Sequence, residues 1–318
     1  QRLRRITVGS VIRVVLPAIA VIALISGIAG LDIEEVADAL RDASWWIILF
    51  GLVFTQVPRV TQSFSTIGAS PVPLPLGPVY ALQLAVSYIN LAIPSSAARI
   101  AVNIRFFQRH GVPPGTAMAA GALDGVTGFV VQATLLVSIL LLTPATLGVD
   151  LDSASPSGIT RVLLLVIAIA VVAIAVVFVV RPWREFVVKW VKRLTAEAMV
   201  AVRGLKSPRR LGMLIGGNVA TEVLFAMSLG IFVRAFGFSM SLTDLLLVNI
   251  SVALLAGLLP IPGGIGVAEG GLTYGLVRAG MPEEIAFAAV ICYRMASFYL
   301  PPIWGFFAMR WLERNRHL

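Results

Sequence analysis

"LLPIPGGIGVAEGGLTYGL", residues 258–276, decides how the rest of the chain is read. It packs Pro260, Pro262 and six glycines into a run that hydropathy alone would set in a membrane, and it carries Glu269 with no cation before Arg278. Proline removes a helical N–H and glycine is entropically costly in a helix, so the run reads as a helix break. Backbone released from a helix is tolerated at membrane depth only where protein covers it or a wet cavity uses it. An ordinary external loop is the simpler alternative, but the long apolar stretches on both sides argue against it.

Composition makes the membrane setting firm. The 318 residues are 58% hydrophobic and 13% charged, with a mean hydropathy of +0.93. Soluble domains carry about 25% charged residues. A single Cys292 excludes a disulfide framework and a cysteine metal cluster, and His110 and His317 lie too far apart in sequence to suggest a metal site or a Ser-His-Asp triad. No metal, no cofactor and no enzymatic chemistry are expected. The net charge of +9 comes with no nucleic-acid motif; it sits between apolar spans, where it orients the chain and meets anionic headgroups.

Apolar spans cover 11–30, 45–66, 115–143, 160–180, 210–235 and 282–309, each long enough for about 30 Å of hydrocarbon. Regions 76–110 and 243–278 are apolar but broken in the middle. Arg2, Arg4, Arg5 and Arg13 place the N-terminus in the cytoplasm, and the acidic connection with Asp32, Glu34, Glu35, Asp38 and Asp42 outside. Asp150 and Asp152 place 144–159 outside as well. Nine Lys/Arg within 181–210 face in, and their apolar neighbours Phe186, Trp190 and Leu194 suggest a helix on the membrane surface. Arg310, Arg314 and Arg316 put the tail inside. With these orientations, 76–110 enters and leaves on the cytoplasmic side, whereas 243–278 does so on the outer side.

The expected fold is therefore an all-α polytopic integral membrane protein of two inverted-topology repeats, each with three full spans and a Pro/Gly-broken helical hairpin, re-entrant or crossing. Residues 1–159 form the first repeat, with hairpin 76–110. Residues 160–318 form the second, with an interfacial helix at 183–206 and hairpin 243–278. Spacing supports the repeat: Pro94 to Gly111 is 17 positions and Pro262 to Gly280 is 18, while Gly111 to Asp124 is 13 and Gly280 to Arg294 is 14. Inverted repeats with broken helices at matching places are a device of secondary transporters. Pro94, Pro260, Pro262, Gly263, Gly264 and Gly266 are the expected breaks.

Charges within the apolar stretches mark the candidate site: Arg59, Arg99, Asp124, Glu222, Glu269 and Arg294. Each costs at least ~2.5 kcal/mol at the bilayer centre unless paired. Matching positions and opposite signs suggest pairs across the repeat, Arg99 with Glu269 or Asp124 with Arg294. Arg59, near the end of its span, has snorkelling as an alternative. Asn90, Ser95, Ser96, Asn103 and Tyr274 add hydrogen-bonding groups, as do Asn218, Asn249 and Thr273, many of which would serve as interhelical glue. "GGIGVAEGG" is neither a P-loop nor a dinucleotide fingerprint, since no Lys-Ser/Thr and no strand–helix unit accompany it.

The stretch 258–305, with Pro260, Pro262, Gly263, Gly264, Gly266 and Glu269, then Gly280, then Arg294 ahead of a proline-containing last span, resembles the C-terminal signature of the flippase-like membrane family that includes the transmembrane region of lysylphosphatidylglycerol synthase. "YINLAIPSSAARIAVNIRFFQRHGVPPGTA", 88–117, resembles its first hairpin, with Ala97 and Ala98 where the family often has a glycine and an acid. The resemblance implies a flippase for an anionic, aminoacylated or glycosylated lipid in a bacterial cytoplasmic membrane. It implies a membrane phospholipid or lipid-linked sugar as partner, and a homodimer. The alternatives are an ion-coupled small-solute transporter and a non-transporting membrane module of a larger lipid-modifying protein whose soluble domain lies elsewhere.

Overall fold

The computed structural model describes residues 32–92, 96–142, 207–258 and 262–318. The expected spans 11–30 and 160–180, the interfacial helix 183–206, and Pro94, Ser95 and Pro260 lie outside them. Every regular element described is helical.

Helix α1 (Ile33–Asp42) starts where Asp32 accepts N–H bonds from Glu34 at 2.9 Å and Glu35 at 3.4 Å, an N-cap reinforced by acids in the first turn. The next span, Trp45–Ala69, is long and apolar enough to cross a membrane but bends into α2 (Trp45–Phe54) and α3 (Val57–Ala69). The cause is local. Pro58 has no N–H to give and crowds the preceding turn, and the Thr55 hydroxyl bonds back to the Gly51 carbonyl. Two helices, α4 (Leu76–Ala92) and α5 (Ser96–Arg109), flank the first expected break and pack on one another. The 29 residues of α6 (Pro114–Leu142) exceed what ~30 Å of hydrocarbon requires.

Helix α7 (Pro208–Ala235) is a further span. The region of the opening sequence then forms α8 (Leu242–Leu258), a tight 3₁₀ turn at Pro262–Gly264, and α9 (Val267–Arg278), with α8 and α9 packed together. The glycines do what only glycine does cheaply: Gly263, Gly264 and Gly266 hold φ of 64°, 62° and 87°. The last span, Glu283–Arg314, is interrupted as well. α10 (Glu283–Arg294) passes through a π-helical turn at Met295–Tyr299 into α11 (Pro301–Arg314).

Among the described residues, four helical segments are thus long and apolar enough to cross a membrane, 45–69, 114–142, 208–235 and 283–314. The protein is an integral membrane protein. Two close crossings bind the part before residue 143 to the part after 206. On α3 and α7, a Cβ on Gly217 would sit 2.7 Å from the Ser65 nitrogen and one on Gly68 2.5 Å from that of Leu214. There the Thr61 and Thr221 hydroxyls meet at 2.7 Å. On α4 and α11, Gly305 lies directly against the Leu84 carbonyl. Where lipid is as apolar as leucine, small residues and hydroxyl contacts supply the association that water would otherwise drive.

Candidate functional site

The first polar centre grows from the bend in the second span. Because α3 restarts at Val57, residues 59, 62 and 66 share one face of it at helical spacing. Gln83, Ser87 and Asn90 share one face of α4 in the same way. With Asn103 and Phe107 on α5 and Gly121 and Asp124 on α6 they line a cavity of about 280 Å³.

Arg59 does not snorkel. It is 7% exposed and held at all three guanidinium nitrogens: Nε donates to Gln56 Oε1 at 3.3 Å, Nη1 to Ser87 Oγ at 2.6 Å, and Nη2 to the Ser297 carbonyl at 2.9 Å. None of these partners is an anion, and the ion pairs among the described residues are elsewhere. Five N–H groups in a fixed fork leave donors over for the cavity. Asp124 presents the opposite sign. Its Oδ2 accepts from the Thr66 hydroxyl at 2.9 Å, and its Oδ1 from Asn218 Nδ2 at 3.4 Å. Thr66 accepts in turn from Gln83 Nε2 at 2.9 Å, so its single proton points to the carboxylate.

The second centre is built on the opening stretch. Glu269, three residues past Gly266 at the start of α9, folds back to take the Gly266 N–H at 2.6 Å, a capping contact at the positive end of the helix dipole. Its Oε1 accepts from Arg294 Nε at 2.7 Å and from the Tyr299 hydroxyl at 2.9 Å. Arg294 Nη2 reaches the Gly263 carbonyl at 3.1 Å, and its guanidinium lies 4.3 Å from the Phe298 ring centre. Phe298 in turn fills the space a Gly263 side chain would need. Glu269 is 1% exposed and Arg294 9%, a charged pair in which both carboxylate oxygens have donors, as burial requires.

This corrects the expected ion pairing. Glu269 and Arg294 are bonded to each other within the second half, and Asp124 takes neutral donors. Opposite signs at matching positions suggested a cross-repeat pair, but the turn that brings α9 back onto α10 places the two second-half charges closer. The other predicted residues divide. Arg59, Asn90, Asn103 and Asp124 come together in the cavity. Glu222 accepts from Gln132 Nε2 at 2.8 Å, between α7 and α6, and is neither in the cavity lining nor among the hydrogen-bond partners of Glu269. Tyr274 is 42% exposed and joins neither. The side chains of Ser96 and Arg99, like Ser95, lie outside the described residues.

Sequence reasoning passed over Gln56, Gln62, Thr66, Gln83, Ser87 and Tyr299. Most repeat at intervals of three or four within apolar helices, and that periodicity was the signal available for them.

The sequence model described as the lysylphosphatidylglycerol synthase TM region matches residues 10–305. No curated protein matches the chain.

Proposed function

The chain belongs to the lysylphosphatidylglycerol synthase TM region family, and from that premise we propose that it is a lipid translocase rather than an enzyme. It passes the polar headgroup of a membrane phospholipid or lipid-linked sugar between leaflets while the acyl chains stay in the bilayer. One observation carries the reading: Arg59, buried within the span bundle, lines a polar cavity without forming an ion pair, while the carboxylate of the same cavity, Asp124, takes neutral donors instead. An unpaired guanidinium is costly in that setting, and a phosphate entering the cavity balances it with charge-assisted bonds. Asp124, held by donors alone, is placed to receive a headgroup ammonium or hydroxyl.

The broken hairpins support the two inverted repeats read from the charge pattern, and α4 touches the 262–264 turn of the other hairpin. We place the protein in a bacterial cytoplasmic membrane with both termini inside, and as a homodimer by family resemblance. The cavity volume also suits a small solute, lying at the low end for ligand pockets. An ion-coupled solute transporter is therefore the second reading.

Reconstitution separates the two. In phosphatidylcholine vesicles carrying a trace of NBD-phosphatidylglycerol, the wild-type protein should expose inner-leaflet label to dithionite, and Arg59→Gln should not. If wild-type vesicles protect the label as well as empty ones do, the translocase reading fails.

A further inference from the structure

The carbonyl groups of the last span explain what holds Arg59. In an α-helix the N–H of each residue bonds the carbonyl four before it. Here the Leu300 N–H reaches back five residues to the Met295 carbonyl at 2.9 Å, and Pro301 and Pro302 have no N–H. The carbonyls of Ala296 and Ser297 are thereby left without their helical donors, and buried carbonyls need partners. Both partners come from the bend between α2 and α3. Gln56 Nε2 donates to Ala296 at 3.2 Å, and Arg59 Nη2 to Ser297 at 2.9 Å. Gln56 closes the arrangement by accepting from Arg59 Nε at 3.3 Å and donating to Leu52 at 3.3 Å. Its amide therefore faces the guanidinium with its oxygen and the two carbonyls with its nitrogen.

This choice of neutral partners has a chemical consequence. A carboxylate at position 56 would meet the same guanidinium geometry and quench its charge. Gln56, the Ser87 hydroxyl and the Ser297 carbonyl fix the orientation and leave the charge uncompensated. The π turn is itself held from its flanks, since Arg294 just before it and Tyr299 at its end both bond Glu269. π-helical turns are often found at functional sites.

We propose that Gln56 is a positioning residue for Arg59, and that with the π turn at 295–299 it sets the guanidinium for anion binding, so that recognition in the first half depends on backbone conformation in the second. The proposal rests on the translocase reading above.

The test uses the full chain in the same vesicles, with the transport rate followed against the mole fraction of NBD-phosphatidylglycerol. Gln56→Glu should raise the apparent KM roughly tenfold or more, the scale of one charge-assisted hydrogen bond, with a modest fall in Tm because the Ala296 and Leu52 carbonyls lose the Nε2 donor. Pro301→Ala supplies an N–H that competes with Arg59 for the Ser297 carbonyl. It should raise KM severalfold while Tm holds, because a helix interior favours alanine over proline. Normal KM values in both variants, alongside an inactive Arg59→Gln, overturn the positioning role and leave the translocase reading standing. Rate and Tm falling together in both variants make the role purely structural and overturn it too. An Arg59→Gln protein as active as wild type removes the reading on which the proposal stands.

Discussion

At the scale of single residues, Glu269 is the most constrained polar group described. It takes three donors from three different places: a backbone N–H, a guanidinium and a phenol. Removing one partner of a buried pair strands the other charge, at about 3–5 kcal/mol. Glu269→Gln should therefore lower the Tm of the purified protein sharply, and a Tm within a degree or two of wild type, on the order of what a mild surface change produces, would contradict this geometry. A gentler residue-level effect belongs to the two histidines. His110 and His317 stack at 5.2 Å with planes 4° apart. Burial first, and His110 second, hold the His317 imidazole below its ordinary value of 6.5. A folded value below the unfolded one means that the tail's packing is intact above about pH 6.5 and loosens as pH falls through the folded midpoint. An NMR titration of the imidazole protons should find the His317 midpoint below the ordinary value, and His110→Ala should move it partly back.

At the scale of helices, broken segments recur wherever buried polar groups concentrate: the bend at 55–56, the 262–266 turn and the π turn at 295–299. Each has a local cause in proline or glycine, and each supplies a polar group to one of the two centres. Straight helices do the holding. Gly217 lies where α7 crosses α3 backbone to backbone, whereas its neighbour Gly216 has no atom within 4 Å of where a Cβ would stand. Gly217→Ala should cost about 1–3 kcal/mol through overpacking. Gly216→Ala should be neutral or slightly stabilising, since alanine is the better helix former. Equal melting curves for the two variants would show that the α3–α7 crossing has room to spare.

At the scale of the molecule, two polar centres of different character are joined by one strap. The cavity holds separated, unpaired charges; the Glu269 centre holds a closed pair. Between them run Gln56, Arg59 and the π turn. If the strap transmits, Arg59→Gln and Glu269→Gln should be non-additive in a double-mutant cycle on unfolding free energy, with a coupling of about 0.5–3 kcal/mol. Additivity within about 0.5 kcal/mol would make the centres independent.

Hydropathy, charge placement and the Pro/Gly runs sufficed to determine an all-helical membrane protein, the span positions near 45–69, 114–142, 208–235 and 283–314, the two broken regions, and four of the cavity's residues. These are properties of contiguous sequence: apolar length, helix breaking and the cost of intramembrane charge all act locally. Local sequence also marked Glu269 and Arg294 as special, but not as mutual partners. Which charges pair depends on how α9 folds back on α10, and which polar side chains share a cavity depends on how α3, α4, α5 and α6 turn their faces. Those are choices among contacts distant in the chain, made by packing glycine against backbone and by finding donors for carbonyls that a π turn and two prolines had released. Only the tertiary structure could make them, because no residue near Ser297 in sequence supplies the N–H its carbonyl requires.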